Sequence, residues 1–226
     1  MISFDQAKKL LSEAQEDYLK QIYHLTETAE LAGTQALADK LGVSPASVTV
    51  MIQKLGDLGL VRYEQYKGVR LTDKGMAVAL EILRHHRLLE SFLHQALGYG
   101  WDEVHDEAEK LEHYISETFE ARMADWLGHP SYDPHGDPIP DRELQLPAHD
   151  SQTRLADERA GFRGQIVRVG TQDSDELNLF RQLGLVPGAA LTLLESQVGT
   201  VRLQVGEKSY LVPLSLAQKL WVRRDA

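Results

Sequence analysis

The 226-residue chain has no cysteine. Disulfides and thiolate ligands are therefore excluded, and the composition suits a reducing, cytoplasmic location. Aromatic residues supply only 7% of the chain. No apolar run approaches the ~20 residues that span a bilayer, so no membrane partner is expected. The opening segment MISFDQAKKLLSEAQEDY is amphipathic and charged, without the apolar stretch of a signal peptide. Internal repeats and low-complexity tracts are also missing, which excludes solenoids and fibrous classes. Positive charge is short: 24 Lys and Arg stand against 34 Asp and Glu, for a net charge of -10. Global attraction cannot bring this chain to nucleic acid, so any DNA contact must come from a local basic surface.

The acidic excess is concentrated. Residues 1–72 carry 9 acids and 8 bases, residues 73–140 carry 14 and 5, and residues 141–226 carry 11 of each. The middle segment contains the stretch His85–His113, HHRLLESFLHQALGYGWDEVHDEAEKLEH. His86 and Glu90 stand four apart and share a helix face. His105, Glu109, Glu112 and His113 follow at spacings of 4, 3 and 1. The Gly98–Gly100 break lets two helices fold back on each other. A single Glu and His at helical spacing is usually a solvated face. Two facing sets beside the apolar positions Leu88, Leu89, Phe92, Leu93, Val104, Leu111, Tyr114 and Ile115 are not, because ionised groups at such an edge need partners. Imidazole and carboxylate donors without thiol suit Mn, Fe(II), Co, Ni or Zn.

Upstream, residues 4–28 read as a helix with Leu10, Leu11, Tyr18, Leu19, Ile22, Tyr23 and Leu25 on one stripe and Asp17 at its edge. Residues 34–59 read as a helix-turn-helix. Thr34 is the expected cap of the first helix, which ends at Leu41–Gly42. Ser44 and Pro45 then open the second, which ends at Gly59. Ala36, Leu37, Leu41, Val48, Ile52 and Leu55 form the expected core. Ser44, Ser47, Thr49, Val50 and Lys54 face outward, where short side chains can approach a DNA groove. Residues 60–72 read as a hairpin turning at Tyr66–Lys67–Gly68, with Lys67 placed for phosphate contact. Helix-turn-helix plus hairpin predicts a winged helix.

Two long helices are expected at 73–97 and 101–127, with Phe119, Met123 and Trp126 on the second. Their surplus apolar surface predicts a homodimer interface. Five of the eight prolines lie between Pro130 and Pro147, which predicts a loop. His129 and His135 read there as loop histidines and not as ligands. Residues 161–226 alternate apolar and polar in four runs, GQIVRVG, AALTLLES, GTVRLQVG and KSYLVPLS, predicting a small antiparallel barrel of SH3-like kind. A short helix is expected to begin at Asp173, Asp175 and Glu176. The expected fold is mainly α with small β parts (α+β). The expected divisions are residues 1–73, 74–140, a linker at 141–160, and 161–226.

The order of parts resembles the diphtheria toxin repressor family of metal-dependent transcription regulators, including its manganese transport regulator branch. The resemblance covers essentially the whole chain. It rests on EDYLKQIYHL at 16–25, SPASVTVMIQKLGDLGLV at 44–61, YKGVRLTDKG at 66–75, HRLLESFL at 86–93, VHDEAEKLEH at 104–113 and DPHGDPIP at 133–140. It implies a primary, activating metal site of Asp17, Glu109, Glu112 and His113. It also implies a second site of His86, Glu90 and His105, to which the SH3-like domain adds Asp173 and Glu176. Ser44, Ala46, Ser47, Thr49, Val50 and Lys54 match the family's recognition-helix region. Iron-responsive members place Met and Cys where this chain has Asp17 and Glu109, so the oxygen donors here imply Mn(II), with Fe(II) as the other candidate. Co, Ni, Zn and Cd are expected to substitute in vitro. The manganese branch often carries a further acid one turn after the Asp17 position; this chain has Lys20.

The resemblance thus implies a homodimer that binds a palindromic operator in double-stranded DNA and represses metal-uptake genes. It is not an enzyme on this reading and takes no small organic substrate. Two rivals bear on the same residues. A winged-helix regulator of a small organic ligand would leave the His/Glu cluster unexplained. A metalloenzyme would need an open coordination position with an acid or base beside it, and no nucleophile or phosphate-cradling loop accompanies the cluster.

Overall fold

The computed structural model describes residues 11–27, 29–65, 67–148 and 151–225. Two compact units emerge: residues 1–85 with 142–144, and residues 86–141 with 145–226.

In the first unit, helix α1 spans Glu13–Thr26. It starts later than the apolar stripe predicts, because Ser12 is extended and Gln15 reaches back to accept the Ser12 amide at 2.9 Å. Residues 4–10 and 28 of the expected helix lie outside the described residues. Helix α2, Thr34–Leu41, is capped by Gly33, so Thr34 is its first helical residue and not its cap. Gly42 ends it in the left-handed conformation at φ 64°. Ser44 then caps α3, Pro45–Asp57, accepting the Ser47 amide at 3.1 Å, with Pro45 in the first turn. Leu37, Val48, Ile52 and Leu55 are buried as expected, but Ala38, not Ala36, lies in the core. From its start at Thr34 the helix turns Leu37 and Ala38 inward and leaves Ala36 exposed.

The hairpin follows. Strand β1, Val61–Glu64, pairs antiparallel with β2, Gly68–Leu71, in the register Val61↔Leu71. Ala32 bridges to Val69 as a third, one-residue strand. Gly68 is required there: a Cβ would stand 2.5 Å from the Ala32 carbonyl oxygen. Tyr66 of the expected turn lies outside the described residues. This is a winged helix.

Helix α4, Asp73–Leu97, opens where Thr72 accepts the Gly75 amide at 3.2 Å and continues into the second unit. One long helix was expected over 101–127. Instead there are two, α5 at Val104–Leu111 and α6 at Glu117–Leu127. Ser116 caps the second by accepting the Phe119 amide at 3.3 Å, which breaks the run at Glu112–Ser116. Tyr114, expected on the buried face, is therefore 70% exposed. Leu88, Leu89, Leu93, Val104, Ala108, Met123, Ala124 and Ile139 form one core.

The C-terminal part is a six-stranded antiparallel sheet in the order β3-β8-β4-β5-β6-β7. The strands are β3 Thr153–Arg154, β4 Arg163–Val169, β5 Ala190–Gln197, β6 Thr200–Val205, β7 Lys208–Pro213 and β8 Leu220–Arg224. Helices α7, Ser174–Leu183, and α8, Leu214–Ala217, cover it. Strands β3 and β8 were not foreseen, and Leu155, expected in a linker, is fully buried. Trp101, from the helical part of the chain, joins the same core as Leu155, Phe162, Ile166 and Phe180. That shared core is why the helices from His86 onward and the sheet form one unit.

Candidate metal centre

Helix α4 presents His86 and Glu90 toward α5, which presents His105 and Glu109. The His86 Nε2 lies 3.0 Å from Glu90 Oε1 and 3.1 Å from His105 Nδ1. His105 Nδ1 is 3.2 Å from the same Glu90 oxygen. Glu109 Oε1 stands 3.7 Å from His86 Nδ1 and 3.8 Å from His105 Nε2. One donor atom each from His86, His105 and Glu109 falls within 4.8 Å of the others.

Glu112 is the C-cap of α5, and His113 lies in the break just beyond it. Glu112 has no exposed surface, and its Oε2 approaches His86 Nδ1 at 2.5 Å. The His113 Nε2 stands 3.5 Å from the other Glu112 oxygen. Residues assigned to two different sites in the sequence are thus in contact here: Glu112 and Glu109 both reach His86.

The loop after α6 changes the account. His129 is a solvated loop residue paired with Asp125 at 3.2 Å. His135 is not: it is buried, and its Nδ1 lies 3.5 Å from Glu90 Oε2. Both histidines lie in the loop as expected, but only His129 is solvated. Trp101 and the loop enclose His135, whose Nε2 donates to the Trp101 carbonyl at 2.9 Å. Asp133 is buried beside it and accepts the backbone amides of His135 and Asp137 at 2.8 and 2.9 Å. Nothing local in DPHGDPIP marks this histidine as buried; the enclosing residues lie far away in sequence.

The electrostatics follow from enclosure. Burial pushes the Glu90 carboxyl up, but the His86 charge and the His105 and His135 rings outweigh it and hold Glu90 well below the usual range. Burial raises Asp133 well above its ordinary value, and the Glu90 and Asp137 charges add to this, against His135 and Arg87. Burial alone would lower His135, yet its pairing with Glu90, the Asp133 charge and the Trp101 carbonyl raise it to about 9.

Asp173 caps α7, its Oδ1 accepting the Glu176 amide at 3.0 Å. Glu176 is held by Lys219 and by Thr171. Among the described residues, no gathering of metal-ligating atoms includes either one. Asp17 stands on α1 in the first unit. In that unit Ser44, Ala46, Ser47, Thr49, Val50 and Lys54 are all exposed along the first turns of α3 and its outer face. Lys67 is exposed at the hairpin tip, 3.5 Å from Glu64.

Imidazole nitrogens and carboxylate oxygens, buried, close and free of thiol, fit a divalent first-row ion of the manganese-to-zinc series. A winged helix joined to such a centre defines a metal-responsive DNA-binding regulator. Family models agree on every part. The iron dependent repressor N-terminal DNA binding domain matches residues 10–69, its metal binding and dimerisation domain matches 72–141, and the FeoA domain matches 153–224. The iron-dependent repressor IdeR of Mycobacterium tuberculosis (strain ATCC 25618 / H37Rv) is 31% identical over 226 residues, covering 95% of this chain and 98% of that protein. The HTH-type transcriptional regulator MntR of Listeria welshimeri serovar 6b is 42% identical over 101 residues, 45% of this chain and 70% of that one. Among solved structures, a manganese-dependent transcriptional repressor in complex with manganese superposes with a TM-score of 0.88 at 37% identity, covering 93% of this chain and 100% of that one. The zinc-bound repressor ScaR superposes at 0.81 and 30% identity, covering 93% and 99%. The chain belongs to the diphtheria toxin repressor family of metal-dependent, DNA-binding transcriptional repressors.

Proposed function

We propose that this chain represses metal-uptake genes in response to Mn(II), with Fe(II) as the alternative ion, acting as a cytoplasmic homodimer on a palindromic operator. One observation carries the reading: buried His86 and Glu90 gather with partly buried His105 beside Glu109 and Glu112 in a chain that also carries a winged helix. Oxygen donors at Asp17 and Glu109 favour manganese over softer-ligand ions. No helix among the described residues is long and apolar enough to cross a membrane. No catalytic role is assigned to the cluster.

The activating site takes Asp17, Glu109, Glu112 and His113, by match to the family's motifs. The second site takes His86, Glu90 and His105. Asp173 and Glu176 join it only after Glu176 leaves Lys219. Residues 1–73 then serve DNA binding, 74–140 metal binding and dimerisation, and 161–226 support of the second site.

A bound divalent ion supplies two positive charges and fixed directions for its donors. The chain's residues do the rest. Glu90 and Glu112 are enclosed carboxylates that need a counter-charge, and His86 stands between them. By the same match, a bound ion would be held by Asp17 of α1 together with Glu109, Glu112 and His113. This fixes the two recognition helices of a dimer at the spacing of one DNA turn, about 34 Å. Metal favours DNA binding only by its differential affinity for that state, and DNA tightens metal binding in return. The dimer surface is offered by α6, where Phe119 and Trp126 are 44% and 56% exposed and meet Phe92 edge to face.

Fluorescence anisotropy on a palindromic promoter fragment tests the reading, with chelator, Mn(II), anaerobic Fe(II) and Zn(II) compared. Binding that requires metal supports it. Binding that ignores metal would refute it.

A further inference from the structure

The outer face of α3 carries an apolar side chain where it would meet a DNA groove. Ala46 and Val50 stand four apart and share that face. Both are exposed, Val50 by 52%. The hydroxyls around them are already engaged within the helix. The Thr49 hydroxyl donates to the Pro45 carbonyl at 3.0 Å. The Ser44 and Ser47 hydroxyls lie 2.9 Å apart, and the Ser44 oxygen also accepts the Ser47 amide at 3.1 Å. We propose that Val50 reads the operator by packing against the 5-methyl group of a thymine in the major groove. The proposal rests on the assignment of α3 as the recognition helix and names what that helix reads.

Three observations support it. Residues 45–51, the first two turns of α3, hold no Arg, Lys, Asn or Gln. The N-terminal part of a recognition helix is the part that meets base edges, and here it lacks the side chains that pair in bidentate fashion with guanine or adenine. Thymine can be told apart without a hydrogen bond, because among the four bases it alone shows a methyl group on the major-groove edge. Valine is also a poor choice for an exposed helical position. Its branched Cβ loses rotamer freedom against the preceding turn, and its apolar surface gains stabilisation only when a partner removes it from water. A single exposed apolar residue is common; the place of Val50 on a DNA-reading helix gives this one its partner.

The test uses the full chain loaded with Mn(II). The protein selects a duplex from a random-sequence pool, and the selected duplex is remade with deoxyuridine at one thymine at a time. Deoxyuridine pairs as thymine does and lacks only the methyl group. Fluorescence anisotropy should show about fourfold weaker binding at one thymine or more, the worth of one buried methyl group. In Val50→Ala the same substitutions should cost less than about twofold. The exposed position lets this variant keep its fold, which circular dichroism checks. Wild type indifferent to deoxyuridine at every position would overturn the proposal. So would a deoxyuridine penalty that is the same in Val50→Ala as in wild type. Either result leaves sequence-selective binding standing, since the pool has then yielded a preferred duplex. A pool from which metal-loaded wild type enriches no sequence would remove the recognition-helix reading itself, and the proposal with it.

Discussion

Gly136 is where the loop that carries His135 lies against the sheet, and replacing it tests that contact. Its φ is +86°, and a Cβ there would stand 2.0 Å from the Val167 carbonyl oxygen and 2.8 Å from the Arg168 Cα. Alanine at a left-handed φ costs about 1–2 kcal/mol by itself. A carbon cannot stay that close to backbone oxygen, so the loop must recede from β4 by about 1.4 Å to reach ordinary contact. That withdrawal breaks the bond from the Val169 amide to the His135 carbonyl, 2.8 Å in the native chain. A lost hydrogen bond with buried partners adds about 1–3 kcal/mol. Together the change costs about 4 kcal/mol, and for a unit of this size each kcal/mol moves the midpoint about 2–4 °C. Gly128 supplies the control. It is also left-handed, at φ +72°, but a Cβ there meets nothing within 4 Å, so Gly128→Ala costs only about 1 kcal/mol. Thermal unfolding followed by circular dichroism should show Gly136→Ala melting about 10 °C below wild type and Gly128→Ala about 3 °C below. Equal shifts in the two variants would refute the steric argument.

Three further outcomes are expected. Asp17→Ala and His113→Ala should each abolish metal-dependent operator binding while keeping the circular dichroism spectrum; unchanged anisotropy titrations in both would remove the activating-site assignment. Lys67→Ala should weaken binding to all DNA sequences about equally and reduce the salt slope by about 1, as a phosphate contact does; a loss confined to one sequence would contradict that role. Trp126→Asp should shift the protein toward monomer in sedimentation velocity, and a dimer unaffected by it would place the interface away from α6.

Much of this was legible in the sequence because it is local. Gly42, Ser44 and Pro45 punctuate the recognition pair through short-range backbone chemistry, and the uninterrupted stretch after Thr72 could only be a long helix. The facing of His86 and Glu90 follows from helical spacing alone. What escaped was decided by distant contacts. The break at Glu112–Ser116 was hidden because apolar periodicity resumes in phase on the far side, and only the Ser116 cap marks it. His135 gave no sign because its burial is made by Trp101 and by the Glu90 carboxylate, 34 and 45 residues away in sequence. Glu176 looked available because nothing nearby shows that Lys219 holds it. Strand β3 has two residues, too few for any alternation to register.

The centre gathered around His86 contains no sulfur. Oxidants such as peroxide enter protein signalling chiefly through thiolates, which pass from sulfenic to sulfinic and sulfonic acid. Imidazole and carboxylate have no place on that ladder, and the chain has no cysteine elsewhere to contribute one. Peroxide therefore has no thiol route to this regulator's output, which leaves the ion and the chain's four methionines. A chain loaded with Fe(II) would lose its signal as the iron oxidised, whereas the same chain loaded with Mn(II) would keep repressing.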